Sequence, residues 1–167
     1  MKVDTLVIGI GNLGRSDDGV GPRLAEKVES WGLPSLRALA DYQLNIEHAA
    51  EVADSGLVIF IDASVEAGRP FSFYRPEPEN RNDFSTHAML PETVLITCRE
   101  VYGKTPPAYV LAIRGENLAI GEGFSDQAAA NLVEAERFLA GVLRSADRLA
   151  ACAGAIAGPA SMNMNLS

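Results

Sequence analysis

Thr5-Leu-Val-Ile-Gly-Ile-Gly-Asn-Leu-Gly-Arg-Ser-Asp-Asp-Gly-Val-Gly21 is the stretch that decides the fold of this 167-residue chain. Leu6, Val7, Ile8 and Ile10 form a short apolar run rich in β-branched residues, the pattern of a parallel strand covered on both faces. The run breaks into a loop with glycines at 9, 11, 14, 19 and 21, where backbone can come close to another group. Two adjacent carboxylates, Asp17 and Asp18, sit inside that loop. A helix is predicted over Val20–Trp31, with Pro22 in its first turn. Strand, acidic glycine loop and helix in succession are how an α/β protein builds a site at the carboxyl end of its first strand.

Two chemistries compete for this loop. Gly9-Ile-Gly11-Asn-Leu-Gly14 spells the dinucleotide fingerprint, but that fingerprint works by starting a helix at its second glycine. Here Arg15-Ser-Asp-Asp-Gly intervenes, and two carboxylates would face the phosphates. An acidic pair suits a cation better. A purely structural reading also stands, in which one aspartate, Asp17 before Asp18, is the N-cap of the following helix.

Working outward, a second strand is expected at about 36–40, and Asn45 is read as the cap of a helix, Ile46 to Asp54. The inward stripe of that helix is Ile46, Ala49, Ala50 and Ala53, with His48 a surface or packing histidine. Leu57-Val-Ile-Phe-Ile61 is a second fully apolar strand, and it closes on Asp62. A carboxylate at such a strand tip lies on the ligand-binding rim, and successive parallel strands usually neighbour one another, so Asp62 and Asp18 are expected to meet. Pro70–Arg75 alternates as an edge strand. His87 ends a polar loop ahead of a helix over Pro91–Tyr102, whose inward residues are Leu90, Val94, Leu95, Cys98 and Val101. Ala108–Ile113 is another strand. Ser125 caps a long last helix, whose stripe from Ala128 to Leu149 recurs at helical spacing. The expectation is a three-layer α/β/α sandwich around a twisted, mostly parallel sheet of about five strands. A single domain spans 1–150, and a low-complexity tail, 151–167, is expected to be disordered.

Composition removes other classes. Hydrophobic residues at 47% and charged residues at 22% describe an ordinary globule. A net charge of −8 opposes nucleic acid and anionic membrane surfaces as partners. No window has the length and apolarity of a membrane span, and the N-terminus runs straight into a strand with no signal peptide, so the cytoplasm is expected. Cys98 and Cys152 have neither metal-type nor disulfide-framework spacing and are read as non-catalytic thiols. Asp18, Asp62 and His87 supply two oxygens and one nitrogen from three loops, a mixed set that suits nickel or zinc with coordination positions left open.

Together, Gly9-Ile-Gly-Asn, Asp17-Asp-Gly-Val-Gly21, the strand ending Asp62-Ala, Ser85-Thr-His87 and Gly121-Glu-Gly-Phe-Ser resemble the nickel–iron hydrogenase maturation proteases, in order from about Val3 to Leu143. The resemblance implies a twisted five-stranded sheet between helices. It also implies an endopeptidase that clips the C-terminal extension from the hydrogenase large-subunit precursor after nickel insertion, with the nickel brought by that precursor. It places Asp18 and Asp62 as metal-binding and catalytic acids, aspartic-type or metal-assisted, and His87 as the third metal ligand. A monomer is expected. The alternatives are a chaperone that senses nickel without cutting, and a small dinucleotide-binding protein using Gly9, Gly11 and Gly14 with Asp41 on the ribose.

Overall fold

The computed structural model describes residues 3–77 and 89–144. Its central sheet has five strands in the order β2-β1-β3-β5-β4. These are β1 (Val3–Ile10), β2 (Leu36–Asp41), β3 (Ser55–Ser64), β4 (Phe71–Tyr74) and β5 (Ala108–Arg114). β2, β1, β3 and β5 run parallel, and β4 closes the edge antiparallel to β5. The helices are α1 (Val20–Ser30), α2 (His48–Ala53), α3 (Pro91–Thr97) and α4 (Asp126–Arg144).

Alternation along the buried strands divides the core into two layers. Val7, Ile59, Ile61, Leu111 and Ile113 pack with Leu24 and Val28 of α1 and Ala135 and Leu139 of α4. Leu6, Ile8, Val58, Phe60 and Val110 pack on the opposite face with Ala49 and Val52 of α2 and Val94 and Leu95 of α3. This is the expected three-layer sandwich. The strand order reverses between β1 and β3, which opens a crevice at their carboxyl ends.

Several local readings need correction. α2 begins at His48, later than expected, because Ile46 and Glu47 form a turn in which Asn45 Oδ1 accepts the Glu47 amide at 3.0 Å. Ile46 stays 63% exposed, and the buried side of α2 is His48, Ala49, Val52 and Ala53. The helix after Pro91 widens into a π-turn at Cys98–Tyr102. The extra residue in that turn rotates Val101 off the inward stripe and leaves it 64% exposed. Cys98 is buried and its thiol donates to the Ala49 carbonyl at 3.1 Å, a packing role. Cys152, the 151–167 tail and the last residues of the predicted α4 stripe lie outside the described residues.

Candidate active site at the carboxyl rim of the sheet

Glycine builds the approach of α1 to the sheet. A side chain on Gly21 would run into the backbone oxygens of Ile10 and Ile61, and one on Gly9 would meet Gly21 and Ala25. Helix therefore rests backbone against backbone on the ends of β1 and β3. That contact sets the acidic loop beside the end of β3.

Asp62 lies two residues before the end of β3, because pairing with β5 continues through Ser64↔Arg114. On the other side, pairing with β1 stops at Gly9↔Ile61. The Asp62 carboxylate thus stands where the partner strand has already left, facing the β1–α1 loop. Its Oδ1 accepts the amide of Ala63 at 2.8 Å. Burial, with the charge of Asp18 adding to it and the Ala63 amide opposing, pushes its carboxyl up from 3.8 to about 7. Asp18 and Asp62 are therefore brought into one electrostatic neighbourhood, as expected from the sequence.

Asp18 sits in a short 3-10 turn, Ser16–Gly19, that leads into α1. Its Oδ2 accepts the Asn12 amide at 2.7 Å. In a dinucleotide-binding loop the amides after the second glycine are offered to the pyrophosphate. Here the first of them is already bound to a carboxylate, and α1 starts only at Val20. Asp41, the ribose ligand of that alternative, is engaged too. Its Oδ1 accepts the Tyr42 amide at 2.7 Å, and its Oδ2 lies 3.4 Å from His48 Nε2. His48 is buried and its Nδ1 accepts the Asn45 amide at 3.0 Å, so it is a packed histidine.

Asp17 overturns the capping expectation. The N-cap of α1 is Gly19, with no side-chain cap hydrogen bond. The Asp17 side chain turns inward, is fully buried, and crosses to the segment between β5 and α4. Its Oδ2 accepts the amides of Glu116 and Asn117 at 2.8 and 3.0 Å and the Ser125 hydroxyl at 2.8 Å, and its Oδ1 accepts the Ser125 amide at 2.7 Å. Burial alone would raise this carboxyl, but the bonds from Ser125, Glu116 and Asn117 together hold it below its ordinary 3.8. Nothing local to Asp17 announces this role, since its partners lie about a hundred positions away. Ser125 does cap α4 as expected, its hydroxyl accepting the Ala128 amide at 3.2 Å.

His87 lies outside the described residues, so the structure assigns it no place. Among the described residues, no group of three His, Cys, Asp or Glu side chains is arranged to hold a metal ion. Two carboxylates at the rim, one with its charge held out of water beside the other, nevertheless form a donor pair that a divalent cation would neutralise. Among the described residues no helix is long and apolar enough to cross a membrane.

Fold and site together define an α/β protein with paired carboxylates at the switch point of its sheet. No protein-family profile and no curated protein matches the chain. Solved structures do, and the chain shares its fold with [NiFe] hydrogenase maturation proteases. HycI from Thermococcus kodakarensis KOD1 is 21% identical with a TM-score of 0.70, over 86% of this chain and 94% of that one. The hydrogenase maturating endopeptidase HybD from E. coli is 20% identical with a TM-score of 0.68, over 95% and 96%. The hydrogenase 2 maturation peptidase from Thaumarchaeota archaeon SCGC_AB-539-E09 is 22% identical with a TM-score of 0.62, over 84% and 97%. The family that the motifs resemble is thus the family of these folds.

Proposed function

We propose that this chain is an endopeptidase that removes the C-terminal extension of a nickel–iron hydrogenase large-subunit precursor once nickel has been inserted. The observation that carries the reading is the Asp18–Asp62 pair at the β1–β3 crevice, on the fold of solved maturation endopeptidases. Nickel belongs to the substrate. The precursor presents it, and Asp18, Asp62 and His87 bind it, so that a precursor without nickel lacks those bonds and docks poorly.

Asp62 supports the chemistry as well as the docking. In the free protein burial raises its carboxyl to about 7, and once the precursor's nickel has displaced that proton the carboxylate is the general base toward the water that attacks the peptide carbonyl. The partner is the large-subunit precursor, met in the cytoplasm by a monomer. The nickel-sensing chaperone shares the docking and lacks the cut. The dinucleotide binder is disfavoured by the engagement of the Asn12 amide with Asp18.

The deciding experiment incubates the purified chain with the cognate precursor, with and without nickel, and weighs the products by mass spectrometry. Loss of a C-terminal peptide from the nickel-loaded precursor alone supports the whole reading. Cutting that ignores nickel would retain the peptidase and remove the docking role of Asp18, Asp62 and His87. A loaded precursor left intact would favour the chaperone. His87→Ala should weaken nickel-dependent docking, and unchanged processing in that variant would remove His87 from the site.

A further inference from the structure

The segment Asn12–Asp18 is stitched along its length to the segment 115–125. Ser16 donates its amide to the Gly121 carbonyl at 2.9 Å and its hydroxyl to the Ala119 carbonyl at 2.9 Å. The Asp17 amide donates to the Asn117 carbonyl at 2.9 Å, and the Gly121 amide donates back to Gly14 at 3.0 Å. Arg15 Nε reaches the Leu118 carbonyl at 3.1 Å. At the centre of this seam the buried Asp17 carboxylate takes four hydrogen bonds, all from residues 116, 117 and 125. Ser16, directly before it, holds a left-handed backbone with φ of 50°, a conformation that a non-glycine residue keeps only when its surroundings impose it.

We infer that Asp17 is a positioning residue: its carboxylate clasps the β1–α1 loop to the loop before α4 and thereby holds the neighbouring Asp18 carboxylate in the crevice. The inference rests on reading Asp18 as part of the functional site. Its physical basis is that Asp18 has little of its own to fix it. Asp18 accepts the Asn12 amide and donates its own amide to the Arg15 carbonyl, both within the same loop. Those bonds close the loop across Asp17, so a displaced Asp17 strains them, and the loop's place beside β3 is set by the Gly21 contact together with the bonds that leave it. Asp17 gathers most of the side-chain bonds that do. Misplacement of a reacting or ligating group by about 1 Å can lower a rate by about 100-fold, so the clasp bears on turnover.

The test uses the full chain labelled with ¹⁵N, following the Asn12 amide by NMR as a reporter of the Asp18 contact, with steady-state kinetics on nickel-loaded precursor. Leu132→Ala serves as a control that loosens α4 packing away from the clasp. In wild type and in Leu132→Ala the Asn12 amide proton should be shifted downfield by its short bond to a carboxylate. In Asp17→Asn it should move upfield, and kcat should fall about 10- to 100-fold, while Leu132→Ala keeps its kcat at a temperature where both are folded. An Asn12 signal that stays in place in Asp17→Asn would overturn the clasp. So would an amide that moves without any fall in kcat, because Asp17 would then hold the loop without serving the site.

Should Asp17→Asn fail to fold, Ser125→Ala carries the same test. It removes one of the four bonds and should shift the Asn12 amide in the same direction by less, and no shift would count against the clasp. A wild-type chain that leaves the precursor uncut would bring down the endopeptidase reading, and the Asn12 signal alone would then decide the clasp.

Discussion

Two aspartates at one end of the sheet are both withdrawn from water, and the protein treats them in opposite ways. Around Asp17 four donors converge on one carboxylate and depress its proton affinity. Around Asp62 the Ala63 amide is the one hydrogen bond seen among the described residues, a second negative charge stands nearby, and the carboxyl rises to about 7. The difference separates structure from function. A buried charge with all its partners supplied is a fastening. One left without them is costly to the free protein and becomes favourable only when something cationic arrives or a proton must be moved.

The largest expected effect breaks the comparison on the Asp62 side. Asp62→Asn removes the charge while keeping size, so kcat on nickel-loaded precursor should fall about 10³-fold with folding intact by circular dichroism. Full activity would remove Asp62 from the chemistry.

Stability against pH measures the same contrast in the free protein. Asp62 binds its proton more tightly folded than unfolded, so its contribution falls as pH rises from 3.8 to about 7 and is flat above that. The decline amounts to about 4 kcal/mol, read from urea unfolding across pH, and Asp62→Asn should erase it. Asp17 runs the other way. Its carboxyl is lowered on folding, so its stabilisation is present above 3.8 and is lost as pH falls through the depressed value. A slope in Asp62→Asn equal to that of wild type would mean that Asp62 is better partnered than its surroundings indicate.

Smaller effects sharpen the Asp17 side. Asp17→Asn turns an NH₂ group toward amide donors and should cost about 3 kcal/mol in urea unfolding at pH 7. Ser125→Ala removes one hydroxyl bond and the α4 cap together and should cost about 2 kcal/mol. A loss in Asp17→Asn no greater than that in Ser125→Ala would show the clasp to be one bond deep.

Much of this architecture was legible before any coordinates, for reasons that particular residues make plain. Leu6–Ile10, Leu57–Ile61 and Ala108–Ile113 are runs that only a doubly covered strand accommodates, and Ser125 ahead of a regular stripe marks the start of α4. The meeting of Asp18 and Asp62 followed from parallel neighbours sharing a carboxyl rim. Asp17 was misread because capping is a local rule, whereas its partners stand across the fold. Val101 was misread because a π-turn leaves no trace in a heptad-like spacing. His48 could be read as packing, but its contact with Asp41 at 3.4 Å depended on where β2 ends.

The contact of Gly21 with the backbone of β1 and β3 carries a consequence for redesign. Helix seats that rest on side chains act as adjustable shims, since a smaller or larger residue changes the gap. This seat has no shim. At the α1 end of the acidic loop the clearance from the tip of β3 is a fixed gauge, cut by main-chain atoms, and neighbouring side-chain changes in α1 will not widen it. Refitting the proposed site to a cation of another radius would therefore turn on the reach of its ligands, that of the residue at position 18 among them. Exchanging Asp18 for Glu lengthens that reach by one methylene while the gauge stays as it is.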